Sequence, residues 1–420
     1  MTSRIVLLCG SLLIGVSAAG ADWRQFRGND ATGVAPEAKL PVKWGVAKKD
    51  AEEGDKKAEA NEGLGENVAW RVDLEGRGVS GPIVVDGKVI VTSASGFKHD
   101  RLHVIAFDAA SGREAWHRQF WATGRTFCHP TSSVAAPTPA SDGKSIFAFY
   151  SSNDLICLDL DGNLKWYRGL GYDYPTAAND VGMAASPLVV GDTVIVQVEN
   201  KGESFAAGID TATGETRWRK ERDHAMNWSS PAVLKGKTPN EDVVLLQSPS
   251  HVSAHKPATG EIVWSYATSC SVIPSALGAG GMVYLPAGGL TALRPSAQPG
   301  SQVEVVWKEP KLGPSSPSPV LHDGRLYVIN GAPALTCADA ESGKVLWRLR
   351  LGGKFWATPI IAGGHLYCVN DQGLVRVVEL GDAGEVIAEN DFGEPILGSP
   401  AISDGAIYFR SDKHLWKIGK

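Results

Sequence analysis

Twelve side chains in this 420-residue sequence pair polar chemistry with aromatic surface: Arg77, His129, Ser132, Asn179, Asp180, His224, Asn227, Trp228, Cys270, Lys354, Trp356 and Glu394. They offer carboxylate, amide, imidazole, cationic, thiol and indole groups, a mixture able to hold a polar ring compound by hydrogen bonds and stacking. The stretch "YDYPTAANDVG" around Asn179 and Asp180 is unusually polar and aromatic. The plain alternative is a set of loops filled by water. No spacing here marks a reaction. The sequence has no G-x-S-x-G, no H-E-x-x-H, no EF-hand loop and no C-x-x-C. "GLGYDYP" and "AGAGGMVY" are glycine-rich but fall in turns of a β pattern, so they are not read as phosphate loops. His251 and His255 are four apart in a β context and are not expected to share a face as they would on a helix.

The elements that must position these groups follow from two recurring marks. A small residue followed by proline opens a β-rich run at Pro82, Pro137, Pro187, Pro231, Pro274, Pro319, Pro359 and Pro400. The candidate residues precede these marks, where innermost strands should meet a central channel. The second mark is a tryptophan closing each unit: Trp70, Trp116, Trp166, Trp218, Trp264, Trp307 and Trp347, with Ala388 in the eighth slot. The units run roughly 40 to 55 residues. "SPVLHDGRLYVIN" reads as strand, Asp-Gly turn and strand, and "ALTCADAESGKVLWRLR" as two more strands. Four antiparallel strands repeated at this period predict an all-β, eight-bladed β-propeller. After Pro400 only three strands fit, so the last blade is expected to be closed by the N-terminal strand "NVAWRVDL". That sharing would tie the ring shut and remove sheet edges.

The organisation expected is a signal peptide over 1–21, an extension over 22–66 and the propeller over 67–420. Arg4, the apolar "IVLLCGSLLIGV" and the small residues Ala19 to Ala21 fit a secretory leader too short to span a bilayer. The reading is therefore an exported protein, periplasmic or extracellular, without a transmembrane segment. "VAKKDAEEGDKKAEANEGLGE" is charged, poor in apolar residues and expected to be a loop. "WRQFRGNDATGVAPEAKLPVKWG" lacks a strand pattern but holds Trp23, Phe26 and Trp44, and is expected to pack across the propeller surface. A net charge of −5 argues against a general nucleic-acid surface. Cys128, Cys157, Cys270, Cys337 and Cys368 remain after the leader and read as small strand residues, with a Cys337–Cys368 disulfide left open. A monomer is expected.

In the first unit the tryptophan phrase runs Ala106, Asp108, Gly112, Trp116. Asp can hydrogen-bond its own turn, Gly can take positive φ, and the indole can then lie over the neighbouring blade's turn. These tryptophans therefore read as structural docking residues. The A-x-D-x-x-x-G-x-x-x-W phrase resembles the docking motif of the quinoprotein dehydrogenase propellers, shared by PQQ-like repeat proteins and BamB-type outer-membrane assembly lipoproteins. The resemblance covers about 67–420, and "DWRQFRGNDATGV…LPVKW" is similar to the N-terminus of exported PQQ-like propellers of planctomycete-type bacteria. Departures are Lys256 and Arg294 in the Asp slot, the shortened "CLDLDGNLKW", and Ala388, which imply softer packing in blades four, five, two and seven. A quinoprotein would need a Ca²⁺ site of acidic and amide oxygens, a general-base Asp and an aromatic floor, and many of its alcohol dehydrogenases carry adjacent cysteines, which this sequence lacks.

The resulting expectation is a non-catalytic scaffold, without cofactor or metal, binding envelope proteins or another macromolecule, with a role in outer-membrane assembly by analogy. The alternatives are a PQQ- and Ca²⁺-dependent oxidoreductase and a carbohydrate- or peptide-binding module, which Trp121, Tyr172 and Tyr174 would suit.

Overall fold

The computed structural model of the protein describes residues 22–45, 64–177, 181–296 and 302–420. The expected leader, most of the charged stretch, and Asn179 and Asp180 lie outside the described residues. Eight antiparallel sheets of four strands form a β-propeller with almost no helix. Blades one to seven occupy residues 83–121, 140–169, 188–221, 232–267, 277–309, 320–350 and 360–391, each running from innermost to outermost strand in chain order. Blade eight takes its three inner strands from 401–419. Its outermost strand is Val68–Asp73, paired with His414–Gly419 so that Val68 faces Ile418 and Asp73 faces His414. The N-terminal strand therefore closes the ring.

One rung across each blade explains the repeated phrase. In blade six Tyr327, Cys337 and Trp347 sit side by side on the second, third and fourth strands. The same rung is Ile90, Ala106, Trp116 in blade one and Phe147, Cys157, Trp166 in blade two. A small residue on the third strand makes room for the indole beside it. At Gly208 of blade three an added Cβ would lie 2.2 Å from Trp218. The indole then reaches the next blade. Trp116 Nε1 donates to the Leu160 carbonyl at 2.9 Å and Trp347 Nε1 to Gly381 at 2.9 Å. Trp70, Trp166, Trp218 and Trp307 make the same link to Ala109, Thr211, Pro257 and Ala340. Each of these six rings also covers the phrase's glycine in the next turn. Gly384 has φ +67°, and a Cβ there would lie 2.5 Å from Trp347, so both backbone and space demand glycine. Lys256 does not open its turn: backbone bonds close it, and Trp218 donates to Pro257 at 2.7 Å. Cys157 and Cys337 thus fill the rung's small slot, and Cys337 and Cys368 are free thiols on different blades.

The two opening marks at Pro137 and Pro274 are out of register. In blade two the position equivalent to Ser186 is Thr138, followed by Pro139. In blade five it is Ser275, followed by Ala276, so Pro274 precedes the mark rather than completing it. His251 and His255 share one strand. Residues four apart in a strand do share a face, contrary to the expectation, but a rise of ~3.3 Å per residue sets them ~13 Å apart, too far to hold one ion.

The extension crosses the face formed by the tight turns of the blades. Trp23 exchanges backbone bonds with Val84 of blade one, the Arg24 carbonyl accepts from Ser141 of blade two, and Gln25 accepts from Val189 of blade three. Arg27 donates to the Ala276 carbonyl of blade five at 2.9 Å. Val34–Ala35 then adds a short parallel strand to Ile361–Ala362 on the inner edge of blade seven. This strand has no alternating signature in the sequence because two residues are too few to show a period.

Candidate functional site: the central channel

Where the eight innermost strands begin, a girdle of hydroxyls joins the blades. The backbone N–H of Gly81 donates to Thr138, Thr138 to Ser186, Ser186 to Ser230 and Ser230 to Ser275, all at 2.9–3.0 Å. Ser275 continues to Ser318, Ser318 to Thr358 and Thr358 to Ser399 at the same length. Each hydroxyl accepts there and keeps its own proton as a donor. The girdle ends at Gly81, which has no side chain. A Cβ on Gly81 would stand 2.5 Å from the Ser399 carbonyl, so blades eight and one approach too closely there for a hydroxyl.

These eight residues line a cavity of about 640 Å³. Two positions earlier in the chain, ahead of each innermost strand, stands a second circle: Val79, Ala136, Ala184, Trp228, Ile273, Ser316, Trp356 and Leu397, all on the cavity wall. Residues two apart share a side in an extended chain, and both circles face the cavity. Phe26, from the extension that crosses the turn face, also lines the cavity. His129, Thr131, Ser132, Val181 and Met226 line it from the loops on the opposite face. Trp228 is held by its indole N–H on the Gly182 carbonyl at 2.9 Å, while Trp356 remains 44% exposed. His129 Nδ1 lies 2.8 Å from the Thr131 hydroxyl.

Of the residues singled out in the sequence, the fold thus brings His129, Ser132, Trp228 and Trp356 to one cavity. Arg77 stands at the closing seam, bound to Asp412 at 3.0 Å and to the Pro130 carbonyl. His224 is exposed beside Glu221, and Lys354 is exposed on a loop. Asn227 is buried away from the cavity. Its amide donates to Glu199 at 3.2 Å and to the Gln247 carbonyl at 2.7 Å. Glu199 in turn pairs with buried Arg222 at 3.1 Å, so this network locks blade three to blade four. Burial raises the Glu199 carboxyl above its ordinary value, against the pull of Arg222. Burial likewise pushes the Cys270 thiol up to about 12, leaving it unreactive. Glu394 accepts from His414 and the Trp416 indole. Burial works against ionisation, but these hydrogen bonds hold it below the usual carboxylate range.

The girdle itself was missed as a site. Its signal was present in the residue before each proline, which is Ser or Thr in five of the eight blades at the marks read, while Ile273 before Pro274 is not small at all.

The family model described as outer membrane protein assembly factor BamB matches residues 64–266, 202–308 and 291–383. The chain belongs to this PQQ-like β-propeller family. Over 86 residues it is 27% identical to the outer membrane protein assembly factor BamB of Alkalilimnicola ehrlichii, a match covering 20% of this chain and 22% of that one. Among solved structures it is similar to BamB from Moraxella catarrhalis, at 17% identity and TM-score 0.60, covering 84% of this chain and 97% of that one. It is also similar to a europium-containing methanol dehydrogenase, at 16% identity and TM-score 0.67, covering 94% and 89%. A quinohemoprotein alcohol dehydrogenase from Comamonas testosteroni gives 13% identity and TM-score 0.68, covering 97% and 82%. At these identities the structures share the fold, and a fold alone does not choose between scaffold and enzyme.

The donor set of the cavity bears on the cofactor. Ca²⁺ takes six to eight oxygens, carboxylates prominent among them. Among the described residues the cavity wall carries no carboxylate, no side-chain amide, no lysine and no arginine; its side-chain oxygens are hydroxyls, seven of them already engaged between blades. The two indoles supply aromatic surface, but the described residues do not fit a Ca²⁺–quinone pair.

Proposed function

We propose that this PQQ-like propeller is an exported, non-catalytic scaffold that binds an envelope protein through its loop face, in the manner that its family's description suggests for outer-membrane assembly. The observation that carries the reading is a channel wall uncharged among the described residues, combined with large apolar side chains on the loop face. Phe97, Trp121, Phe127, Tyr172, Ile273 and Trp356 stand exposed on the loops that connect or leave the blades on the side of the channel mouth. Aromatic residues are enriched at protein–protein interfaces, and exposed apolar surface marks sites of interaction. The extension covers the opposite face, so the loop face is the side left for a partner.

The test places a photo-crosslinking amino acid at Phe127 or Trp356 and, as controls, at Leu164 or Ile262 on outer strands. Discrete adducts from the first pair alone are expected in the exporting cell. Adducts of equal yield from all four positions would sink the reading. The rival oxidoreductase is tested separately: purified protein mixed with PQQ and Ca²⁺ should neither bind the quinone nor reduce a dye with alcohols or sugars.

A further inference from the structure

Three groups outside the channel converge at the closing seam. His103 and His117 stand on the third and fourth strands of blade one. His117 pairs with Ile105, which makes the imidazoles diagonal neighbours on one face. Ile105 and Phe107, on that same face, join the core that includes Trp70 and Trp416 of blade eight. Glu75 follows the closing strand Val68–Asp73, and its carbonyl is fixed by the Ser93 hydroxyl. Its carboxylate lies 3.9 Å from His103 Nε2 and 4.0 Å from His117 Nδ1. Among the described residues no other trio of His, Cys, Asp and Glu brings its donor atoms within 4.8 Å of one another.

We propose that His103 Nδ1 and His117 Nε2 hold a first-row divalent metal ion, zinc above all, with the Glu75 carboxylate as the outer partner of His117 Nδ1, so that the site clips the connector after the closing strand onto blade one. Two imidazoles, one of them backed by a carboxylate, suit Zn²⁺, Co²⁺ or Ni²⁺ and suit Ca²⁺ and Mg²⁺ poorly, since those ions want oxygen. The hydrogen bonds prepare the rings. Ser95 Oγ lies 2.7 Å from His103 Nε2, and His103 Nδ1 lies 2.8 Å from His117 Nε2. With the His103 proton on Nε2, directed to Ser95, Nδ1 presents a lone pair toward His117. Moving the His117 proton from Nε2 to Nδ1, on the Glu75 side, sets two lone pairs face to face. The metal ion takes the place of the shared proton, both rings stay neutral, and no proton is released. Fixing a ligating histidine through its other nitrogen is the usual outer-shell arrangement. Burial holds His103 below the ordinary imidazole value, with His117 and Arg101 adding to the effect and Glu75 opposing it. Ligand atoms about 2.0–2.1 Å from zinc in a tetrahedron stand roughly 3.3 Å apart. His117, at the rim, can make the small adjustment while Glu75, more than half exposed, accepts from its Nδ1–H, and water takes the remaining positions.

The test uses the full mature chain without an affinity tag. Titration with Co²⁺ should give visible absorption bands saturating at one equivalent, and Zn²⁺ should raise the unfolding temperature relative to EDTA. Loss of an outer-shell partner costs roughly 10–100-fold in affinity, so His117→Ala and Glu75→Gln should cost at least that. Glu75→Gln alters an exposed residue and should leave the unfolding temperature in EDTA unchanged, which separates ligation from folding. Absence of Co²⁺ bands, equal affinity in the variants, or an equal shift with Mg²⁺ would each overturn the proposal.

Discussion

At the seam between blades six and seven, Trp347 stands beside Tyr327, donates its indole N–H to Gly381 and covers Gly384. At the seam between blades seven and eight the same rung holds Tyr367, Val377 and Ala388, and the large side chains come from the extension instead. The Tyr367 hydroxyl donates to the Leu40 carbonyl, Leu40 and Val42 pack against this core, and Trp44 lies against Phe392 and Phe409. The difference has a geometric cause. An indole from blade seven would have to land on a turn joining the third and fourth strands of blade eight. Those strands, His414–Gly419 and Val68–Asp73, come from opposite ends of the propeller sequence, and no such turn joins them. Without a landing turn the tryptophan has no acceptor and no glycine to cover. The rung is therefore rebuilt: alanine on the outer strand, valine in the usually small slot, and a separate segment laid over both.

The comparison can be broken most strongly at the regular seam. Trp347→Ala should lower stability by about 3–5 kcal/mol from lost packing, with about 1 kcal/mol more from the lost indole bond. Trp44→Ala removes a similar apolar area, but among the described residues the buried Trp44 indole N–H has no partner, so its loss also relieves a penalty. We expect it to cost about 1–2 kcal/mol less than Trp347→Ala. Urea unfolding of the two variants side by side checks this. An equal or larger loss for Trp44→Ala would mean that the extension is a structural keystone rather than a filler.

A third seam responds to acid. Trp218 stacks on His255 with ring centroids 6.2 Å apart and planes within 7°. Burial pushes His255 down to about 4. The unfolded chain, with an ordinary imidazole near 6.5, takes up its proton first, so stability falls as pH drops from about 6.5 to about 4. A shift of about 2.5 units corresponds to an upper figure of about 3 kcal/mol, at roughly 1.4 kcal/mol per unit. Urea midpoints measured from pH 7 to pH 4 should drop less steeply for His255→Phe than for the unaltered chain. Parallel curves would show that the stack does not sense protonation. The seam between blades six and seven, built on Tyr327, lacks this term.

The regular seams were legible in the sequence because one phrase serves each of them. Small residue, glycine and tryptophan each answer to a contact that recurs, so period alone exposes them. The proline mark was legible only where the small residue and Pro coincide. "APTPA" offers two readings, and blade five replaces the proline by Ala276. The channel wall was harder to read: Val79, Trp228, Ser316 and Leu397 share no residue type, only a register two positions before the girdle. Asn227, one residue from Trp228, looked equally available, but strand alternation turns it into the Glu199–Arg222 network instead. His103 and His117 were invisible as a pair because fourteen residues and a bulged turn separate them, and only strand pairing brings them together.

The smallest expected effect is the most direct test of why the seventh rung differs. Ala388→Trp restores the phrase to all eight blades. If the phrase were stabilising in itself, the substitution would strengthen the ring. The geometry says otherwise. Ala388 is buried in the same core as Trp44, its neighbour on the third strand is Val377 rather than a small residue, and no turn waits beyond to accept the indole N–H. The added ring must displace residues 40–44 or distort the rung, an overpacking cost of about 1–3 kcal/mol. Pairing it with Val377→Ala should recover part of the loss by reopening the small slot, while adding Trp44→Ala should recover more by vacating the space. If Ala388→Trp alone raised the urea midpoint, the absence of a landing turn would not be the reason for the alanine.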